Sequence, residues 1–209
     1  MSTDDAQASQ RSPVDRLLEI SSPALAGEAD GEFRGAGELL RRRNGFYSFL
    51  GALHVFPTIS SGDEISQPEW NNDALWRSGY PDLGVEYVAF AEDLFGGQFL
   101  HSNSGVFQLE PETGEIEQIA VDVPGWCAAI LDDPEVLTGY PLAEEWQTRN
   151  GRLPVGKRLI PRKPFVLGGE FSSENLMLVD SAESLRWRAE LAAQIRDVPD
   201  GGKIVLRYG

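Results

Sequence analysis

Short apolar runs alternate along this chain with polar, glycine- and proline-marked breaks, and the spacing within each run assigns it to helix or strand. Val14, Leu17, Leu18 and Ile20 recur at helical intervals behind Ser12-Pro13, which suits a helix start. Glu38 to Arg43 predicts a second short helix, stopped by Asn44-Gly45, a pair suited to left-handed backbone. Phe46 to Phe56 is dense in aromatic and aliphatic residues and closes at Pro57. Pro68 to Gly79, with Trp70, Leu75 and Trp76 between polar positions, predicts a helix.

Extended segments follow. Val85 to Phe90, Gln98 to His101 and Gly105 to Glu110 predict strands bounded by glycine or Asn-Ser. In Glu110 to Glu115 a proline stands where a type I turn accepts it and Gly114 where φ becomes positive, so Val106–Leu109 and Ile116–Val121 should pair as a hairpin. Helices are expected from Pro124 through Leu131 and from Pro141 through Gln147, the latter stopping at Asn150-Gly151. Pro164–Gly168 and Asn175–Val179 predict buried strands. Asp180 with Glu183 caps a helix to about Arg196, and Pro199–Gly202 turns into a last strand, Lys203–Tyr208. Helices, antiparallel strands, helices, then strands with one more helix predict an α+β domain from about residue 36 to 209, behind a flexible acidic segment, 1–35, that carries one short helix. No internal repeat interrupts this order.

Length and composition support one packed unit. A compact fold of 209 residues buries roughly 70% of the surface its unfolded chain exposes, and five Trp, ten Phe and five Tyr suffice to fill a core. The charge is segregated: between Asn44 and Thr148 lie 18 Asp and Glu and a single base, Arg77, a local balance of −17 on a chain of −15. Such a face excludes binding to nucleic-acid phosphates, which needs clustered Lys and Arg. It suits a basic protein instead. The lone Cys127 rules out an internal disulfide, and with only His54 and His101 no metal-ligand spacing can be built. Met1–Gln10 is polar and no apolar run approaches the roughly 20 residues a bilayer requires. A cytoplasmic protein without membrane contact, cofactor or metal is expected.

Each candidate for chemistry has a plainer explanation. Gly151 to Lys157 matches P-loop spacing, but Arg158 stands where a Ser or Thr would ligate magnesium, and a helix precedes it. A solvated basic loop is expected. Cys127 would need His54 or His101 as activating base, and its place after Trp126 in an apolar helix favours core packing. Glu92-Asp93 and Glu144-Glu145 are adjacent acids in an acidic region, which chance supplies. Gly168-Gly169 reads as a tight turn or bulge. No catalytic constellation emerges.

Several strings nevertheless occur in a distinctive order: Phe90-Ala91-Glu92-Asp93-Leu94-Phe95-Gly96-Gly97-Gln98-Phe99, Glu112-Thr113-Gly114-Glu115, Trp146-Gln147, and Arg158-Leu159-Ile160-Pro161 leading to Pro164-Phe165-Val166-Leu167-Gly168-Gly169-Glu170. Glu174-Asn175-Leu176, Ala192 to Asp197 and Pro199-Asp200-Gly201 continue it. Over about Gly37 to Tyr208 the chain resembles the SUKH superfamily, which contains bacterial toxin-immunity proteins and fungal cell-wall-synthesis regulators. The resemblance implies a central, mainly antiparallel sheet flanked by helices. It also implies a non-catalytic immunity protein that binds and neutralises a cognate toxin.

A nucleic-acid-targeting toxin carries a basic cleft, and an acidic partner meets it faster through long-range steering. Glu110, Glu112, Glu115, Glu117, Asp132 and Asp133 are therefore the expected partner-facing residues, with Trp70 and Tyr80 as aromatic anchors. Trp76 is expected in the core. A face that confers solubility alone would have the same composition. The basic stretch Arg149–Lys163, six bases and no acid, could contact an anionic partner or neutralise the acidic segment within the fold or between subunits. Two other functions stay open: a scaffold domain of the same superfamily with no toxin, and a small-molecule enzyme or binding protein, which would show a pocket of perturbed titratable groups. No motif sets the oligomeric state.

Overall fold

A six-stranded antiparallel meander is the central element of the computed structural model, which describes residues 11–29, 36–196 and 198. Its strands β1 (Phe46–Ser48), β2 (Leu53–Val55), β3 (Val88–Glu92), β4 (Gln98–Ser102), β5 (Gly105–Leu109) and β6 (Ile116–Ala120) lie side by side in chain order. A second sheet pairs β7 (Lys157–Pro161) with β8 (Leu176–Asp180), also antiparallel. The helices are α1 (Pro13–Glu19), α2 (Gly37–Arg42), α3 (Gln67–Trp70), α4 (Val123–Asp132), α5 (Pro134–Thr138), α6 (Tyr140–Asn150) and α7 (Ser181–Ile195). The chain is a single α+β domain.

Strand alternation divides the core. Phe99 and Leu100 are neighbours on β4 but enter different clusters: Phe99 joins Leu17, Leu40, Phe90 and Trp126 beneath α1, α2 and α4, while Leu100 joins Phe56, Trp76, Leu185 and Ala189 beneath α7. A third cluster, built on Leu94, Ala143, Leu159 and Leu176, ties the small sheet to α6. The Leu159 amide donates to the Leu94 carbonyl at 3.0 Å and so locks β7 to the turn after β3. Each fully buried Leu or Phe contributes about 1.5–3 kcal/mol of transfer free energy. Capping side chains set the helix starts: Asp122 Oδ1 accepts from the Gly125 amide at 2.7 Å, and Asp180 Oδ1 from the Glu183 amide at 3.0 Å.

The expected hairpin has Leu109 opposite Ile116. Four other expectations change. The helix expected over Pro68–Gly79 stops at Trp70, because Asn71 turns its side-chain amide onto both backbone groups of Ala89, accepting at 2.9 Å and donating at 2.7 Å. Strand β3 begins at Val88, and Val85 lies in solvent. Pro164–Gly168 is a 3-10 turn, closed by Gly168 at φ +78°; the strand lies earlier, over Lys157–Pro161, in the basic stretch to which no strand was assigned. Residues 11–29 are not a loose extension: Val14, Leu17 and Leu18 are buried in the first cluster, and the Ser22 amide donates to the Tyr47 carbonyl at 2.8 Å. The expected last strand, Lys203–Tyr208, lies outside the described residues.

Candidate functional site

The hairpin turn between β5 and β6 forms one wall of a cleft of about 490 Å³. The turn closes when the Gly114 amide donates to the Glu110 carbonyl at 2.8 Å and the Glu110 amide to the Glu115 carbonyl at 2.9 Å. Gly114 takes φ +75°, which a residue with a Cβ adopts only at a cost. Tyr80 fixes the turn from below, its hydroxyl shared between the carbonyls of Pro111 (3.0 Å) and Leu185 on α7 (3.1 Å).

The other side of the cleft comes from the turn after β3. Asp93 Oδ1 accepts from the amides of Phe95 and Gly97, both at 2.8 Å, and its Oδ2 accepts from Gln108 Nε2 at 3.3 Å. A Cβ on Gly97 would stand 2.4 Å from Asp93 Oδ2, so this turn requires glycine there. Phe165, Val166 and Phe171 complete the wall; the Phe165 and Phe171 rings stack at 3.9 Å and 7°, and Phe171 is 67% exposed. Arg188 lies at the base, its guanidinium donating to the Phe95 carbonyl and to Ser184 Oγ.

Of the residues expected to face a partner, Glu110, Glu112, Glu115 and Glu117 line this one cleft together with Asp93. Glu110, Glu115 and Glu117 are exposed. Glu112 is the exception at 2% exposure: its Oε2 accepts from the Val166 amide at 2.9 Å, so it joins the two walls rather than offering a free charge. Asp132 and Asp133 are exposed but outside the cleft, and Asp133 caps α5, accepting from Val136 at 3.2 Å. Trp70 and Tyr80 are not surface anchors. At 3% and 5% exposure they are core residues, Trp70 stacking on Phe56 at 4.8 Å and donating from Nε1 to Gln98 at 2.7 Å. Glu69, Asn72 and Asp82 near them are exposed while the rings turn in. Trp76 is buried as expected.

Burial gives the cleft its electrostatics. Asp93 is pushed up to about 7, first by loss of solvent and then by the charge of Glu110, against its two amide hydrogen bonds and the field of Arg188. Burial raises Glu112 as well, with Glu110 adding to it. These carboxylates sit where a cation would relieve them. Glu92, one residue before Asp93, is driven the other way. Burial alone would raise it, but Arg158 Nε at 2.9 Å, His54 Nδ1 at 3.1 Å and the Ser181 hydroxyl outweigh that and pull it to about 2. The pair is thus not a shared acid/base site: one carboxylate anchors the two sheets together and the other faces the cleft.

The remaining candidates fall to structural roles. Cys127 is packed in the first cluster, its thiol pushed up to about 12 by burial, while His54 is engaged with Glu92. The Gly151–Lys157 stretch leads into β7 and not into a helix. Three of the six bases of Arg149–Lys163 are spent within the fold: Arg149 on Glu145 (3.0 Å) and Glu174 (2.6 Å), Lys157 on Asp180 (3.6 Å), Arg158 on Glu92. Among the described residues no group of three or more His, Cys, Asp or Glu side chains is placed to hold a metal ion. No helix there is long and apolar enough to cross a membrane. The sequence offered Asp93 only as a chance neighbour of Glu92, and it did not single out Phe165, Phe171 or Arg188 as site residues. Only the Asp93-to-Gly97 spacing, an acid followed by two glycines, signalled a side chain bonded to its own turn.

No family model matches this chain, and no curated protein sequence matches it. Its fold is similar to the crystal structure of Atu4351 from Agrobacterium tumefaciens, with a TM-score of 0.54 and 14% identity over 83% of this chain and 86% of that one. At that identity the likeness speaks for the fold alone.

Proposed function

We propose that this chain is a non-catalytic immunity protein of the SUKH type, which neutralises a basic, nucleic-acid-targeting toxin by seating a cationic element of it in the acidic cleft. The carrying observation is the convergence of Asp93, Glu110, Glu112, Glu115 and Glu117 on one cleft with Arg188 as the cation among its lining residues. The exposed glutamates draw a basic partner in from a distance, and a Lys or Arg entering beside Asp93 offsets desolvation that the fold already bears. The Phe165–Phe171 stack offers an aromatic face against which a guanidinium packs.

The test is co-purification from the native cell, or capture of the product of the adjacent upstream gene, at low and high salt. Salt-sensitive association with a basic nuclease or deaminase is expected, with loss on charge reversal at Glu110, Glu115, Glu117 and Asp132. Because the first three line the cleft, most of the loss should come from them. Undiminished binding and protection by the four-site variant would sink the proposal. A folded protein that captures no toxin under either condition would favour the scaffold reading.

A further inference from the structure

A second groove, of about 660 Å³, shares no lining residue with the acidic cleft. It lies between the chain leaving α1, the connection from β1 to β2, and Arg152–Val155 after α6. Three successive residues of the β1–β2 connection have positive φ: Phe49 at +50°, Leu50 at +56° and Gly51 at +88°. Two of them are not glycine, and L-residues avoid this region because Cβ crowds the following carbonyl.

The strain is held from outside. Gln147 Nε2 donates to the Leu50 carbonyl at 2.8 Å, and Arg158 Nη1 to the Gly51 carbonyl at 3.1 Å. Arg158 is itself fixed by Glu92, and Gln147 Oε1 accepts from Leu153 at 2.9 Å, clamping the opposite wall. What this arrangement produces is an apolar knob: Leu50 is 57% exposed, beside the exposed side chains of Ile20 and Val155. A strained conformation that its surroundings over-determine, placing an aliphatic side chain in water, points to a use for that side chain.

Charge indicates what docks there. Arg152 is the one charged side chain lining the groove; it is exposed and makes no ion pair among the described residues. Arg149, Lys157 and Arg158 of the same basic stretch are spent on carboxylates of the fold. We infer that the groove receives a protein segment in which an apolar side chain stands beside a carboxylate, the apolar group packing over Leu50, Ile20 and Val155 and the carboxylate pairing with Arg152. A protein segment fits better than a small ligand because Ile20, Leu50 and Val155 stay 41–57% exposed and present a surface, whereas a small-ligand site buries most of its ligand. The inference is independent of the toxin-binding proposal, since it uses none of the same residues.

The test is an amide-resonance titration of the full chain with three probes: acetyl-Glu-Leu-Phe-amide, acetyl-Lys-Leu-Phe-amide and anilinonaphthalene sulfonate. The Glu peptide should shift the resonances of residues 47–51 and 152–155. Binding should weaken by up to about fivefold in Arg152→Ala, the upper end for one exposed ion pair. The Leu50→Gly variant should lose the response while keeping or raising its melting temperature, because glycine accepts positive φ without strain. A merely structural Leu50 would instead lower it. Equal binding of both peptides, no shift at the groove, or a response to the sulfonate dye alone would each overturn the inference. If Leu50→Gly fails to fold, the exposed Arg152→Ala still decides.

Discussion

Asp93 is held in the cleft at the expense of stability, and Asp93→Asn should release that expense in a pH-dependent way. The carboxyl goes from 3.8 in the unfolded chain to about 7 in the fold. A folded value above the unfolded one means that the native state binds the proton more tightly, so stability falls as pH rises from 3.8 and levels off above about 7. Three units at about 1.4 kcal/mol each bound the full penalty at about 4 kcal/mol, of which about 2–3 kcal/mol develops between about pH 5 and about pH 8. Asparagine keeps a carbonyl oxygen for the Phe95 and Gly97 amides, and Gln108 can turn its own amide over to meet the new NH2. The variant should therefore retain the turn and lose the titration. Urea unfolding of both proteins near those two pH values measures it: the stability difference in favour of the variant should grow by about 2–3 kcal/mol toward the alkaline side. Parallel curves, with the same difference at both pH values, would refute the assignment of Asp93 as a desolvated carboxylate.

The buried pair should behave oppositely. Arg158→Met leaves Glu92 buried without its counter-ion and should cost about 3–5 kcal/mol, most of which Arg158→Met with Glu92→Leu should recover in thermal or urea melts. Because Glu92 falls from 4.5 to about 2 on folding, its contribution is full above 4.5 and is lost as pH falls toward 2; acid unfolding of the native protein should show this loss and that of the double variant should not. Tyr80→Phe removes a buried hydroxyl shared by two carbonyls, so a loss of about 1–2 kcal/mol is expected, together with faster hydrogen exchange at the Gly114 amide that Tyr80 braces through Pro111.

Local signals carried most of the fold. The hairpin at Glu110–Glu115 was legible because proline and glycine occupy positions that the turn geometry demands, and the cap at Asp180 because one side-chain oxygen satisfies an otherwise orphaned amide. Strand β7 was not legible. Lys157 and Arg158 break its apolar pattern, and Arg158 is buried only because Glu92, far away in sequence, neutralises it. The helix expected over Pro68–Gly79 failed for a related reason: Asn71 found both backbone groups of Ala89, a partner no local window contains.

The acidic character of the candidate site belongs to the sequence, since 18 carboxylates against one base in residues 44–148 leave little room for any other surface. Which of those acids act together belongs to the tertiary structure. Glu92 and Asp93 are adjacent in the chain, yet one meets Arg158 and His54 in the interior and the other meets Glu110 across a cleft; their proton affinities separate to about 2 and about 7 because they face different elements. Likewise Trp70 and Tyr80 entered the core and Leu50 came out of it. Composition sets how much charge and apolar surface a chain possesses, whereas desolvation and pairing, which decide what each group can do, depend on neighbours that only folding supplies.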